Sequence, residues 1–421
     1  MIVLSPVEKL ILYRKKYKIS QKELSGENMS RSHLAMIETG KNSLNEHTAI
    51  LIVENFNQIL RDRGIDESIA LANLMETKEM QVEKLKNSFL DKLDDHESLD
   101  LTVSEIESYA SEYDADTKIM LYKKMGDLFY EKDNPHRATS FYLRIINDLI
   151  IKRDPKTLGE ISVTLVRIYL QTENYHAAID LENLIKSEIE SFNSKEKTII
   201  YFNLGCIFDS LKKHDDALKY FKKVEILVSN PDQFFDVKNY QALSSADLGN
   251  FEKSISIYRS LMLKFKDPVK KLMINDNLLY VAKLEKNDEK IRFYFRKCKK
   301  LVNDLLLSND YYAFSLEQAL FSIAEVAYEL KKTKDAIKFY SLLCRSITDR
   351  NIDIKFKSIQ RLLLISTKKD LLSIHNLENL FFELLEKERN LGVGFEFISF
   401  YTRENLKDEQ ERFLKKIKKY Y

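Results

Sequence analysis

The chain has 421 residues, more than one hydrophobic core usually holds, so its length predicts several domains or a stacked array of repeats. It contains nine glycines and five prolines, and this scarcity of turn-forming residues favours an all-α fold over one of many short strands. The 67 basic and 65 acidic residues nearly cancel, which excludes a general polyanion-binding surface and restricts any nucleic-acid contact to a local patch.

No sequence pattern indicates a metal centre, a cofactor or a membrane segment. The cysteines Cys206, Cys298 and Cys344 are far apart and lack the spacing of metal ligands or of a disulfide framework. Charged residues recur from Glu8 onward, and no apolar run approaches the roughly 18 residues that span a bilayer. We therefore expect a cytoplasmic protein without metal, cofactor or membrane contact. We also find no motif of an enzyme active site.

The N-terminal segment carries the start and stop signals of three short helices. Pro6 begins the first helix, because proline is well tolerated in a first helical turn. Ser20 and Glu23 have the spacing of a capping box, which predicts a second helix that ends near Gly26. Ser30 is the next cap candidate, and it begins a third helix.

The third helix has an apolar side and a polar side. Leu34 and Ile37 are expected to turn inward, and the outer face is expected to carry Arg31, Ser32 and Met36. Two short helices joined by a tight turn, with polar residues at the start of the second, have the geometry of a recognition helix in a DNA major groove. The alternative is a small helical bundle with solvated charges.

Residues 20–24, 30–32 and 37–41 resemble the helix-turn-helix of the Xre and lambdoid-repressor class, with a turn shortened as in peptide-pheromone regulators. The resemblance implies binding of double-stranded DNA. Eight basic and four acidic residues in positions 1–45 give a local charge of +4, which suits phosphate contact. For His33, a solvent-facing position is the alternative to DNA contact. The predicted DNA-binding residues are Gln21, Arg31, Ser32, His33, Met36, Lys41 and Asn42.

From residue 117 onward, small and aromatic residues recur at fixed offsets. A small residue is followed after twelve positions by alanine and after four more by an aromatic residue in Gly126–Ala138–Tyr142, Gly205–Ala217–Phe221 and Ala324–Ala336–Tyr340. The middle position is assigned in three further repeats to Ala178, Ser254 and Ile291. Small residues let two helices approach, and aromatic rings fill the adjacent gap. The pattern predicts an α-solenoid of tetratricopeptide-like repeats, five of them clear and as many as eight in all.

Such a solenoid has a concave groove lined by the first helix of each pair. Asn203, Asn239 and Asn277 fall in successive repeats at positions expected to face the groove. Side-chain amides both donate and accept, so a ladder of them would bind the backbone of an extended peptide, and an arginine would bind its carboxylate. Solvated or inter-helix roles are the alternative for each asparagine. The predicted peptide-binding residues are Arg167, Asn203, Asn239, Tyr240 and Asn277.

The combination of an Xre-type helix-turn-helix with degenerate repeats of about forty residues resembles the RRNPP family of Gram-positive quorum-sensing regulators over nearly the whole chain. The resemblance implies a homodimer that binds a short linear signalling peptide in its repeats, and transcription regulation through a peptide-driven change in DNA binding. The alternative function is a repeat-protein scaffold that binds and regulates a partner protein without sequence-specific DNA binding.

Four segments follow from these patterns. We predict a helix-turn-helix DNA-binding domain at residues 1–60, a helical linker at 61–116, a tetratricopeptide-like repeat domain at 117–388 and C-terminal capping or dimerisation helices at 389–421. The aromatic residues 395–401 and Phe413 are expected to cap the array, to form a dimer contact or to belong to a simple terminal core.

Overall fold

In a computed structural model of the chain, every regular element of the described residues is a helix, so the all-α prediction is confirmed. The structure describes residues 3–95, 99–307, 314–345, 352–388 and 390–420. Within these residues, no helix combines the length and the apolar character needed to cross a bilayer. Backbone contacts divide the chain into two compact units, Met1–Glu196 and Lys197–Tyr421.

The first unit begins with seven helices. They are α1 (Pro6–Lys16), α2 (Gln21–Ser25), α3 (Arg31–Glu38), α4 (Glu46–Asp62), α5 (Leu71–Met75), α6 (Lys78–Asp94) and α7 (Leu99–Ser108). A single apolar core joins α1 to α5, and its fully buried members include Leu10, Leu24 and Phe56. The core extends to Ile69 and Leu74, beyond the predicted limit at residue 60, because α5 packs against α1 and α4.

The predicted helix caps are present. Ser20 Oγ accepts a hydrogen bond from the Glu23 amide at 3.2 Å, and the Ser20 amide donates to Glu23 Oε2 at 2.7 Å. Ser30 Oγ accepts from an amide in the first turn of α3. Gly26 ends α2 with a φ of 58°, which glycine adopts without steric cost. Asn55 of α4 satisfies the end of α2 by donating to the Leu24 carbonyl at 3.0 Å.

The remaining helices form eight consecutive pairs in the described part of the chain. The first unit contains α8 (Ala115–Glu131), α9 (Pro135–Lys152), α10 (Pro155–Gln171) and α11 (Tyr175–Ile185). Helix α12 (Ser194–Ser210) begins at the boundary between the units. The second unit continues with α13 (His214–Leu227), α14 (Pro231–Asp247), α15 (Phe251–Lys264), α16 (Pro268–Leu284), α17 (Asp288–Leu307), α18 (Phe314–Glu329), α19 (Thr333–Cys344), α20 (Ile352–Ile365), α21 (Leu371–Lys387), α22 (Gly392–Arg403) and α23 (Lys407–Ile417).

The spacing of small and aromatic residues reflects close packing inside the helix pairs. A Cβ atom at Gly126 would lie 2.5 Å from Tyr142 Cε1, and one at Gly205 would lie 2.5 Å from Phe221 Cε1. The ring therefore occupies the space that any larger residue would need. The fourth residue of the second helix is fully buried at Ala138, Ala178, Ala217, Ser254 and Ala336. Ile291 has the same position in α17 but is only partly buried.

Aromatic side chains of α21 to α23 form a core within the chain. The rings of Phe397 and Phe413 stack with centroids 5.1 Å apart, and Phe381 lies 5.4 Å from Phe397. Of the alternatives for residues 395–401 and Phe413, the described contacts are those of a terminal core. Phe395 differs from its neighbours because it is 62% exposed.

Candidate functional site

The polar side of α3 is exposed, as its sequence predicts. Leu34 and Ile37 are fully buried and hold the helix on the N-terminal core. Arg31 and Ser32 are exposed at the start of the helix, and Met36 is 41% exposed one turn later. The exposed side of α3 therefore combines a cation, a hydroxyl group and an apolar side chain, and we treat it as a candidate contact surface.

Five cations in this region are exposed and form no ion pair within the described residues. They are Lys15, Lys18, Lys22, Arg31 and Lys41. The other three basic residues at positions 9–16 are paired, as Lys9 with Glu76, Arg14 with Glu38, and Lys16 with Glu67. The positive charge available to an anion is therefore that of the five unpaired side chains.

Glu38 joins the first three helices. Arg14 Nε and Nη2 donate to the two carboxylate oxygens of Glu38 at 2.6 and 2.8 Å, and Gln21 Nε2 donates at 2.8 Å. Burial by itself raises the pKa of Glu38, but the hydrogen bonds from Arg14 and Gln21 outweigh it and hold the pKa below its usual value. The side-chain nitrogen of Gln21 is thus bonded within the domain, and its contact with a phosphate stays a prediction.

The turn after α3 folds back on the helix. The backbone amides of Lys41 and Asn42 donate to the Met36 carbonyl at 2.8 and 3.1 Å. Asn42 Nδ2 lies 3.3 Å from His33 Nδ1. Four of the predicted DNA-binding residues therefore lie together on one continuous surface: His33, Met36, Lys41 and Asn42. Their contact with DNA stays a prediction.

A groove in the second unit is formed by the first helices of four successive pairs. Its volume is about 410 Å³. It is lined by Phe202 from α12, by Asp236, Asn239, Tyr240 and Leu243 from α14, by Met273, Asp276 and Asn277 from α16, and by Gln318 and Ala319 from α18. This is the side of the repeats on which the sequence predicts a ligand.

Three of the five predicted peptide-binding residues meet in this groove. Asn277 Nδ2 donates to Asn239 Oδ1 at 2.6 Å, so the amides of two successive repeats are linked. The ring of Tyr240 meets the edge of Phe202 with centroids 5.4 Å apart. The other two lie elsewhere, since Asn203 is partly buried on α12 but does not line the groove, and Arg167 is exposed on α10 of the first unit.

Two acidic residues of the groove were not identified from the sequence. Asp236 precedes Asn239 by one turn of α14, and Asp276 directly precedes Asn277 on α16. Burial raises the pKa of Asp276 to about 7, and it raises the pKa of Asp236 to a lesser degree. Their positions beside the predicted asparagines could have identified them in the sequence. Their burial could not be predicted in this way, because it depends on residues from neighbouring repeats.

One group of described residues has the geometry to hold a metal ion. Ligand atoms of Asp209, His214 and Asp247 lie within 4.8 Å of one another, a mixture of oxygen and nitrogen that suits a divalent transition metal. The two carboxylates of this group also accept hydrogen bonds, Asp209 Oδ1 from Ser244 and Asp247 Oδ1 from Tyr280. The fold assembles this cluster from three helices, so sequence spacing does not reveal it.

The fold defines an α-solenoid of tetratricopeptide-like repeats that follows an N-terminal helical domain. The tetratricopeptide repeat family matches residues 199–225, which span most of α12 and α13. A comparison with curated protein sequences finds no match.

Several solved structures are similar to this chain. Bacillus thuringiensis PlcR, in complex with the peptide PapR7 and DNA, is 14% identical over 62% of this chain and 96% of its own, with a TM-score of 0.27. The apo quorum sensor NprR from B. thuringiensis is 11% identical over 81% and 99%, with a TM-score of 0.43. A Rap protein complexed with Competence and Sporulation Factor is 13% identical over 84% and 99%, with a TM-score of 0.34. Similarity at this level does not transfer a function.

Proposed function

We propose that this chain is a cytoplasmic, non-enzymatic transcription regulator that binds double-stranded DNA through α3 and a short linear peptide in the groove of α12 to α18. The observation that carries the proposal is the outer face of α3. That face is exposed and held by a buried apolar side, and the same domain carries five exposed cations that form no ion pair among the described residues.

Each part of that face suits one component of a DNA duplex. Arginine is the side chain best shaped to bind guanine O6 and N7 together, and Arg31 is exposed at the start of the helix. Ser32 and Met36 offer a hydroxyl group and an apolar contact to base edges. Lysine ammonium groups bind phosphates without reading the sequence, which is the role we give to Lys22 and Lys41.

The groove suits an extended peptide. Its volume of about 410 Å³ lies in the usual range of ligand pockets, roughly 300 to 1,000 Å³. The side-chain nitrogens of Asn239 and Asn277 carry two N–H donors each, and the hydrogen bond between the two side chains uses one of these four donors. The pair can therefore donate to the carbonyl groups of a peptide backbone while Tyr240 and Met273 contact its apolar side chains.

Regulation follows if peptide binding changes DNA affinity. We propose that the chain acts as a homodimer whose two α3 helices must match the spacing of two half-sites, about 34 Å or a multiple of it. A peptide that binds one arrangement of the repeats more tightly would shift the protein toward that arrangement.

The DNA part of the proposal is tested by Arg31→Ala. Fragments of host genomic DNA that bind the purified full-length protein are selected first, and fluorescence anisotropy then measures their affinity. Loss of a bidentate arginine contact should cost about 1 to 3 kcal/mol, or roughly five- to 150-fold in affinity for selected fragments. Affinity for unselected DNA should fall much less.

Arg292→Ala is the matched control, because Arg292 is an exposed arginine on α17 of the second unit. It should leave both affinities unchanged. If Arg31→Ala retains the fold and the wild-type preference for selected fragments, or if the intact protein selects no fragments, the regulator is excluded and a protein-binding scaffold is favoured.

The peptide part is tested by Asn239→Ala in an assay of retention of synthetic linear hexapeptides on the immobilised protein. Removing the amide should weaken retention about five- to tenfold, as expected for lost backbone hydrogen bonds. Asn183→Ala, at an exposed position of α11, should have no effect. Equal losses for both variants, or none for either, would contradict a role of the amide pair.

A further inference from the structure

Acidic side chains line the groove of α12 to α18. Asp236 and Asp276 both line it, and neither lysine nor arginine is among the described residues that do so. Lys283, two helical turns from Asp276, forms an ion pair with Glu329 at 2.9 Å, and Lys270, whose charge lowers the pKa of Asp236, is paired with Asp232. A ligand that enters the groove therefore meets two carboxyl groups without a competing cation from the described lining.

Asp276 is the less easily explained of the two acids. Its Oδ1 atom is buried and has no hydrogen-bond partner in the described structure. Leaving such an atom unpaired costs free energy, because water no longer solvates it. A carboxylate retained at that cost either has a structural role or binds something in the groove.

Two other acids of the second unit, the partly buried Glu325 and the buried Glu378, are paired with arginine. Arg361 donates to both carboxylate oxygens of Glu325 at 2.8 Å, and Arg412 donates to Glu378 at 2.7 Å. Glu325 and Glu378 thus each have an arginine as hydrogen-bond donor, whereas Oδ1 of Asp276 has no donor in the described structure. The contrast favours a missing cationic partner that the ligand would supply.

We propose that the groove recognises a cationic group of its ligand, a guanidinium or an ammonium, with the Asp276 carboxylate as the main acceptor and Asp236 as a second acid. The inference rests on the proposed peptide-binding function and names the side chain that the peptide must carry. The rings of Phe202 and Tyr240 line the same groove, and the face of an aromatic ring attracts a nearby cation.

Recognition of a cation by Asp276 is expected to depend on pH. Burial raises the pKa of its carboxyl group to about 7. The carboxyl group is neutral below that pH and charged above it, so a cationic ligand should bind more tightly as pH rises from 6 to 8. The titratable and polar groups that interact with Asp276 are Tyr258 of α15, Lys283 of α16, Cys298 of α17 and Ser322 of α18, and Asp236 of α14 lines the same groove.

The size of the effect follows from the pKa. If the ionised carboxylate alone binds the cation, the competent fraction rises about tenfold between pH 6 and pH 8. Tyr258 and Cys298 do not titrate in this interval, because burial raises the pKa of both groups well above it.

The test uses three pools of linear hexapeptides on the immobilised full-length protein. The first pool has one fixed arginine, an acetylated N-terminus and uncharged residues elsewhere. The second has citrulline instead of arginine, which keeps the shape and removes the charge. The third has a free N-terminal amine and no charged side chain, so it separates an ammonium from a guanidinium source.

Asp276→Asn keeps the shape of the side chain and removes its charge. We expect the wild type to retain the arginine pool about tenfold better than the citrulline pool at pH 8, and this preference to disappear in Asp276→Asn. Preference for the free-amine pool with the same dependence on Asp276 would support the inference with an ammonium as the ligand group. Asp215→Asn, at an exposed position of α13, is the control and should change nothing.

Folding is monitored by thermal unfolding of each variant. In the absence of ligand, Asp276→Asn should be as stable as the wild type or more stable at pH 8, because it removes a buried charge. Equal retention of the three pools with no effect of Asp276→Asn would overturn the inference and leave peptide binding intact. Retention of no pool by the wild type would overturn peptide binding and the inference together.

Discussion

Single carboxylates have different roles in the two units, and Glu38 is the clearest structural case. It joins α1, α2 and α3 through Arg14 and Gln21, and its pKa lies below the usual value. A carboxyl group with a lowered folded-state pKa stabilises the fold above its unfolded-state pKa, about 4.3, and loses this contribution as pH falls through the folded-state value.

Glu38→Gln should therefore destabilise the N-terminal helices by about 1 to 3 kcal/mol at pH 7, because it leaves the Arg14 guanidinium without its partner. The difference from wild type should shrink as pH falls from 5 toward 3. Hydrogen exchange of peptides from residues 6–62 measures this local stability. Glu27→Gln is the control, since Glu27 is exposed and forms no ion pair within the described residues. A pH-independent effect of Glu38→Gln would contradict an electrostatic role.

What the sequence reveals about single residues depends on how local their interactions are. The hydroxyl groups of Ser20 and Ser30 bind amides three residues away, so spacing alone predicted these caps. Asp276 gains its raised pKa from burial among several helices, and no local pattern contains that information. Asn239 and Asn277 are intermediate in how far the sequence predicts them. The register of the repeats predicted that both line one groove, but not the hydrogen bond between them.

Small side chains pack against large ones inside the helix pairs, as Gly205 packs against Phe221 in the second unit. Gly205→Ala places a methyl group 2.5 Å from the current position of Phe221 Cε1, so the ring or the helix must move. We expect a loss of about 1 to 3 kcal/mol, seen as a lower urea midpoint of unfolding.

A double-mutant cycle separates this contact from a general effect of alanine. Phe221→Leu removes the ring and should itself destabilise the pair of α12 and α13 by leaving a cavity. In that background, Gly205→Ala should cost much less than in the wild type, because the methyl group enters free space. Additive losses would show that the ring does not determine the need for glycine.

The repeats were predictable as elements because a strong pattern recurs in several of them. Ala138, Ala217 and Ala336 are each followed after four positions by a buried aromatic residue, which fixed the register of their helix pairs. The limit of the N-terminal domain was harder to predict. Ile69 and Leu74 belong to its core through a five-residue helix with no side-chain cap, whose sequence resembles a linker.

At the scale of the whole molecule, charge is nearly balanced, with a formal net charge of +2. In the proposed regulator, attraction to DNA comes from a local patch, the five unpaired cations of α1 to α3 and the turn after α3. Neutralising five phosphates per chain would give a slope of log affinity against log salt no steeper than about −4 to −5. A homodimer that places both N-terminal domains on one operator would double that slope to roughly −8 to −10.

Lys22→Ala tests this account together with the stoichiometry. Two chains per duplex predict a complex that adds twice 49.6 kDa to the mass of the DNA, which light scattering during the titration measures. In such a complex Lys22→Ala should reduce the salt slope by about two and weaken binding to every DNA sequence alike, whereas Lys195→Ala should change neither. A slope change of about one with one chain per duplex would instead indicate a monomer. The salt slope and the mass from light scattering must agree, because each phosphate contact is counted once per bound chain.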